Sequence, residues 1–201
     1  VNGQTNCHCD LVDFEEQKYV NFETDYLELF QLTTNLKKTR KPVCIFKALD
    51  LEFSYYLLQK NSKKANIILN EQENIFNILD CNSSFLNQLY VNKTKYYQLT
   101  NNLEKLSEFS FKALSQSEQL KNKKLELESL KAIVYLFMRL DKDMENWEYV
   151  KRAQKIITNF KNDKETASQY IWLAYEYESQ YLETGSKSLI DSSYIFANTA
   201  K

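Results

Sequence analysis

Cys7, His8, Cys9 and Asp10 form the densest group of reactive side chains in the sequence. Thiolate, imidazole and carboxylate groups can all bind zinc or copper. Zinc motifs, however, separate their paired cysteines by about two to four residues, whereas only His8, the sole histidine, stands between Cys7 and Cys9. Neighbours in an irregular segment also lack the oriented geometry that activates a cysteine nucleophile. We therefore expect no metal or other cofactor here.

The four cysteines favour disulfides. Cys7, Cys9 and Cys81 lie in polar stretches or at the edges of predicted elements, where a reduced cysteine has little reason to pack. A ring closed between Cys7 and Cys9 would be strained, so each is expected to pair with Cys44 or Cys81. Disulfides persist in oxidising compartments. The even count and the start at Val1 favour an exported protein, periplasmic or extracellular, with a cytoplasmic location as the alternative.

Neither the carboxylates nor the glycines predict a reaction. Paired acidic residues such as Glu126 and Glu128 stand two positions apart, and side chains at that interval diverge on a helix. Two glycines are too few for a loop that cradles phosphate. We therefore predict a protein without enzymatic activity, and an enzyme with a dispersed site is the alternative.

Composition predicts an all-α fold. The chain contains only two glycines and one proline, whereas sheet-rich folds need turn residues at regular intervals. Its 26 basic and 27 acidic residues give a formal net charge of -1, which is unlike the basic surface of nucleic-acid-binding proteins. The longest apolar run, 132–138, is far below the roughly 20 residues that cross a bilayer. We expect no nucleic-acid partner and no membrane insertion within this segment.

Polar breaks divide the chain into an arm, one amphipathic helix and four helix pairs. Residues 1–21 are predicted to form the arm, and residues 22–201 a single helical domain. The first helix begins after Asp25 and ends near Lys38, and Pro42 begins the next one. The helix pairs are expected at about 43–80, 83–120, 123–161 and 164–200. Their short connections require antiparallel neighbours.

The helix pairs repeat at an interval of 42 residues, marked by Ala48, Tyr90, Ala132 and Ala174. The last pair contains Tyr-Ile-Trp-Leu-Ala-Tyr-Glu-Tyr over 170–177. This segment resembles the first helix of a tetratricopeptide repeat, in which a small residue lets a partner helix approach and large residues fill the groove. The chain is therefore similar to a tetratricopeptide-like α-solenoid.

That resemblance implies a right-handed superhelical array of antiparallel helix pairs, preceded by the arm and one extra helix. It also implies that the first helices of the pairs bind a peptide or protein on their concave side. Aligning the pairs on the small residue assigns this role to Asn87, Thr94, Lys95, Ser129, Tyr175, Glu178 and Ser179.

Similar arrays form sensory or scaffolding regions of bacterial regulators, ahead of a membrane helix and an output domain. We therefore expect a non-enzymatic protein-interaction or sensory module. The alternative is a structural helical protein that self-associates, as a homodimer for example, through its C-terminal helix pair.

Overall fold

The computed structural model describes residue 9 and residues 26–79, 82–160 and 164–200. Within these residues the chain is helical and contains no strand, which confirms the predicted all-α class. The predicted arm lies outside the described residues, apart from Cys9. The helices are α1 (Tyr26–Lys38), α2 (Pro42–Leu58), α3 (Ser62–Phe76), α4 (Asn82–Leu99), α5 (Leu103–Gln119), α6 (Lys123–Arg139), α7 (Asp143–Ile157), α8 (Lys164–Thr184) and α9 (Lys187–Thr199).

Asparagine begins three of these helices in the same way. The side chains of Asn61, Asn102 and Asn122 each accept a hydrogen bond from the backbone N–H three residues later, at 3.1 to 3.2 Å. Such caps satisfy donors that the first helical turn leaves open. The residue before each cap has a positive φ of 51° to 54°. A left-handed residue followed by an asparagine cap therefore reverses the chain without glycine.

The helices form two compact units, residues 1–120 and 121–201. In the first unit, α1 packs on α2, α2 on α3, α3 on α4 and α4 on α5. In the second unit, α6 packs on α7, α7 on α8 and α8 on α9. All four predicted helix pairs are therefore present as neighbours in contact. The right-handed superhelix and the single domain over 22–201 stay predictions.

Large apolar side chains fill the first unit. Leu36, Leu49 and Phe53 are fully or almost fully buried. Phe46 of α2 meets Phe85 of α4 edge to face, with ring centroids 5.0 Å apart. Burial of side chains of this size contributes about 1.5–3 kcal/mol each, so this core holds α1, α2 and α4 in register.

The second unit is built around leucines and an aromatic cluster. Leu130 of α6 and Leu173 of α8 are fully buried. Trp147 of α7 and Phe196 of α9 both contact Tyr177 of α8 edge to face, with centroid separations of 4.7 and 5.0 Å. Tyr177 therefore joins three helices, and α8 lies between α7 and α9.

Candidate functional site

Helix α8 carries large apolar side chains on both of its sides. Leu173, on the inner side, is fully buried. On the outer side, Ile171, Tyr175 and Leu182 remain 47%, 67% and 75% exposed. Glu178 is also exposed, and it lies in line with them because intervals of four, three and four residues keep one side of an α-helix. We call Ile171, Tyr175, Glu178 and Leu182 the α8 stripe.

Contacts on the inner side of α8 hold the stripe outward. The hydroxyl of Tyr177 donates to Oε1 of Gln154 on α7 at 2.6 Å, and its ring contacts Phe196 of α9. The hydroxyl of Ser193 on α9 donates to the carbonyl of Ala174 at 2.9 Å. Burial raises the pKa of the Tyr177 hydroxyl, so this group stays a neutral donor at physiological pH. The helix is thus fixed from both flanks, which leaves the stripe accessible.

Three of the predicted partner-binding residues lie side by side on α8. Tyr175 and Glu178 are exposed, and Ser179 beside them is half-buried. Ser129 of α6 differs, because it is buried and its hydroxyl donates to the carbonyl of Leu125 at 2.8 Å. The Ser129 side chain therefore packs inside the second unit.

The other three predicted residues lie on α4 in the first unit. Asn87 and Thr94 are buried. Thr94 donates to a carbonyl one turn back, and the Asn87 amide, oriented so that its nitrogen donates to the Ala113 carbonyl at 3.1 Å, links α4 to α5. Lys95 is half-buried. A binding role for all seven residues stays a prediction, and for the three buried ones it would require neighbouring helices to move.

A polar cluster, separate from the predicted partner-binding residues, joins α2, α3 and α4. Oδ1 of Asp50 lies 3.4 Å from Nε2 of Gln72 and 3.3 Å from Nε2 of Gln88. Nδ2 of Asn92 lies 2.5 Å from the same oxygen and 2.9 Å from Oε1 of Gln72. Gln72 and Asn92 are buried. Such a satisfied network rigidifies and specifies the packing of the helices that it joins.

We predict that Asp50 stabilises the first unit in mild acid and not at higher pH. Burial raises the pKa of the Asp50 carboxyl, against the opposing effects of the Asn92 hydrogen bond and the Lys95 charge. Between the unfolded and folded pKa values, the folded chain therefore holds a proton that the unfolded chain has lost. The resulting stabilisation is fully present below the unfolded pKa and is lost as the pH rises through the folded pKa.

The variant Asp50→Asn tests this prediction, because an amide oxygen can accept the same hydrogen bonds without titrating. Urea unfolding at several pH values measures the free energy of unfolding of both proteins. We expect the variant to gain stability relative to the wild type as the pH rises from mild acid to neutral. If the difference in free energy of unfolding between the variant and the wild type stays constant with pH, or changes in the opposite direction, the pKa of Asp50 is not raised in the folded chain.

Glu126 anchors a second charged cluster, in which α6 contacts α7. Its buried carboxylate accepts bonds from Nη2 of Arg152 at 2.5 Å and from Nζ of Lys123 at 2.7 Å. Burial alone would raise the pKa of Glu126. The hydrogen bonds from Lys123 and Arg152 together outweigh it and hold the pKa below its usual range. This carboxylate therefore stays ionised at neutral pH and serves to pair two helices.

Cys9 and Cys44, which are 35 positions apart in the sequence, form a disulfide with Cα atoms 5.3 Å apart. Cys44 lies in the first turn of α2 and is buried. The bond ties Cys9 to α2, and it is one of the pairings that the sequence left open. Cys7 and Cys81 lie outside the described residues.

The described residues show neither a metal-binding cluster nor a membrane-spanning helix. They contain no group of three or more histidine, cysteine, aspartate or glutamate residues placed to hold a metal ion. In the same part of the chain, no helix combines the length and apolar character that a membrane span requires.

No protein-family model matches this sequence, and comparisons with curated proteins and with solved structures found no match. The contacts between consecutive helices are compatible with a helical repeat. Membership of the tetratricopeptide-repeat family stays a prediction that rests on the residues around Ala174.

Proposed function

We propose that this chain is a non-enzymatic protein-interaction module of the tetratricopeptide-like kind, which binds a partner through the outer side of α8. The observation that carries the proposal is the α8 stripe, in which Ile171, Tyr175 and Leu182 stand exposed in one row. Helices of soluble proteins usually turn one apolar side to their own core and a polar side to water. An additional apolar row on the outer side is a feature of surfaces that bind other proteins.

The composition of the stripe suits protein recognition. Tyrosine is enriched at interfaces and among the residues that dominate binding energy, because it offers a large contact area and a hydroxyl. Leu182 and Ile171 supply apolar contacts on either side of Tyr175, and Glu178 supplies a charge that favours some partners over others. An amphipathic helix or an extended segment could lie along such a row.

A selection from a random peptide library displayed on phage tests the proposal. Peptides enriched on the wild-type chain would be synthesised, and their dissociation constants measured against the wild type and the double variant Tyr175→Ala/Leu182→Ser. We expect the variant to bind at least about tenfold more weakly, since losing two contacts removes well over the 1.4 kcal/mol that a factor of ten represents.

The variant Ile67→Ser/Ile78→Ser is the matched control, because these two residues of the first unit are also exposed, at 57% and 63%. It should retain the affinity of the wild type. Peptides that bind the α8 variant as tightly as the wild type, or a selection that enriches no peptide, would count against the proposal.

A second candidate function is structural self-association through α9. This helix buries Ser193 and Phe196, whereas Tyr194 and Ile195 are 72% and 60% exposed. An assembly that covers α9 would be weakened by Tyr194→Ser/Ile195→Ser and left intact by changes on α8, which separates it from the first candidate.

We further propose that the module belongs to an exported protein. The Cys9–Cys44 disulfide supports this, because such bonds form and persist in oxidising compartments. A sensory or scaffolding role in a larger regulator is the function that the tetratricopeptide resemblance suggests for it. A thiol count under denaturing, non-reducing conditions tests the location, and four free thiols would remove its support.

A further inference from the structure

We infer that the α8 stripe binds the same stripe of a second copy of this chain, with the two α8 helices antiparallel. This inference rests on the proposed function, since it takes the outer side of α8 as a protein-binding surface and names its partner. The order of residues along the stripe and their charges carry the inference.

The intervals between the stripe residues are the same in either direction along α8. Its residues are separated by four, three and four positions, which is the spacing of the seam residues in a coiled coil. A two-fold axis at the centre of the stripe places Ile171 opposite Leu182 of the second copy. The same axis places Tyr175 opposite Glu178 of the second copy. A self-complementary surface of this kind is what a two-fold symmetric dimer requires.

Charge distinguishes the antiparallel arrangement from the parallel one. In the antiparallel pair, the hydroxyl of Tyr175 is a donor facing the carboxylate of Glu178, which accepts. A parallel pair in register would place Glu178 opposite its own copy, and like charges opposite one another disfavour association. Two apolar pairs at the ends and two tyrosine–glutamate pairs in the middle therefore favour the antiparallel register over the parallel one in register.

The length of the stripe sets the expected strength. Its first and last residues lie eleven positions apart, or about 17 Å along the helix axis. This seam is shorter than that of a stable obligate dimer, so we expect a weak dimer that dissociates in the micromolar range or above. The exposed fractions of Ile171, Tyr175 and Leu182 refer to a single chain, and the proposed dimer would cover these side chains.

Sedimentation velocity across a wide range of protein concentration is the first test. We expect the wild type and the control Ile67→Ser/Ile78→Ser to shift from monomer to dimer together. The variant Tyr175→Ala/Leu182→Ser should remain monomeric at concentrations at least about tenfold higher. Because both altered residues are exposed, circular dichroism should show an unchanged helical content.

Disulfide trapping tests the register. In a Cys7→Ser/Cys81→Ser background that keeps the Cys9–Cys44 bond, Ile171→Cys and Leu182→Cys are prepared as separate proteins. We expect a mixture of the two to form a crosslinked dimer several times faster than either protein alone. Equal trapping of each protein with itself would indicate a parallel pair and overturn the inference.

The two proposals can fail separately. If the wild-type chain is monomeric at every concentration, the inference that a second copy is the partner is wrong. If its selected peptides still lose affinity for Tyr175→Ala/Leu182→Ser, the proposed function stands without the dimer. A dimer that survives this double variant also overturns the inference, because association would then use another surface.

Discussion

Replacing Leu173 by alanine should lower the free energy of unfolding of the second unit by about 2–5 kcal/mol. The same replacement at Leu182 should change it by less than about 0.5 kcal/mol. Both leucines belong to α8, so their intrinsic helix propensities cancel in the comparison. Leu173 is 0% exposed, whereas Leu182 is 75% exposed. The contrast follows because only the buried side chain leaves a cavity when it is shortened.

Urea unfolding followed by tryptophan fluorescence measures this effect. Both tryptophans, Trp147 and Trp172, lie in the second unit, so their emission reports the unfolding of that unit. An unchanged dependence of the free energy on urea would show that each variant still unfolds the same structure. Similar losses for Leu173→Ala and Leu182→Ala would show that Leu182 is a core residue, and the α8 stripe would then not be a free surface.

Removing the disulfide should destabilise the first unit by roughly 4 kcal/mol, the chain-entropy value for a closed loop of this size. The bond joins residues 35 positions apart and restricts the unfolded chain more than the folded one. The double variant Cys9→Ser/Cys44→Ser is preferable to a reducing agent, since it changes only the two cysteines of this bond. Changing both cysteines avoids leaving a single unpaired thiol.

Far-UV circular dichroism during urea unfolding reports the loss of helices in both units, and tryptophan fluorescence reports the second unit separately. We expect the circular dichroism transition to shift to lower urea while the fluorescence transition moves less. Chemical denaturation curves that coincide for the variant and the wild type would show that the bond adds nothing to stability.

Much of the helical framework could be predicted from the sequence. Scarce glycine and proline indicated helices, Pro42 begins α2 as expected, and the predicted pairs agree with the observed ones within a few residues. The reversal geometry was harder to foresee. Lys60, Asn101 and Lys121 take left-handed conformations that usually favour glycine. Their residue types do not indicate this conformation, and only the asparagine cap that follows each of them is recognisable in the sequence.

The candidate site was only partly predictable. Alignment on Ala174 identified Tyr175 and Glu178, which are exposed, but the same alignment selected Asn87 and Ser129, which are buried. A repeat register assigns residues to one side of a helix, and it does not say which neighbouring helix covers that side. Helix α4 lies against α2, α3 and α5, so its equivalent positions are enclosed.

The rest of the stripe was missed because an exposed apolar residue looks like a core residue in sequence. Ile171 and Leu182 could have been found from their intervals of four, three and four with Tyr175 and Glu178, which mark a second apolar row on α8. Asp50 and Asn92 carried a similar signal. They stand 42 positions apart, which is the repeat interval, and their side chains are hydrogen-bonded.

Amide chemical-shift mapping of the isotope-labelled chain with an unlabelled selected peptide tests the central claim most directly. Protein binding through the outer side of α8 predicts that the largest shifts fall on residues 171–182, with Tyr175 and Leu182 among them. The exposed residues around Ile67 on α3 should remain unchanged. Shifts that spare α8 and cluster on another helix would contradict the account.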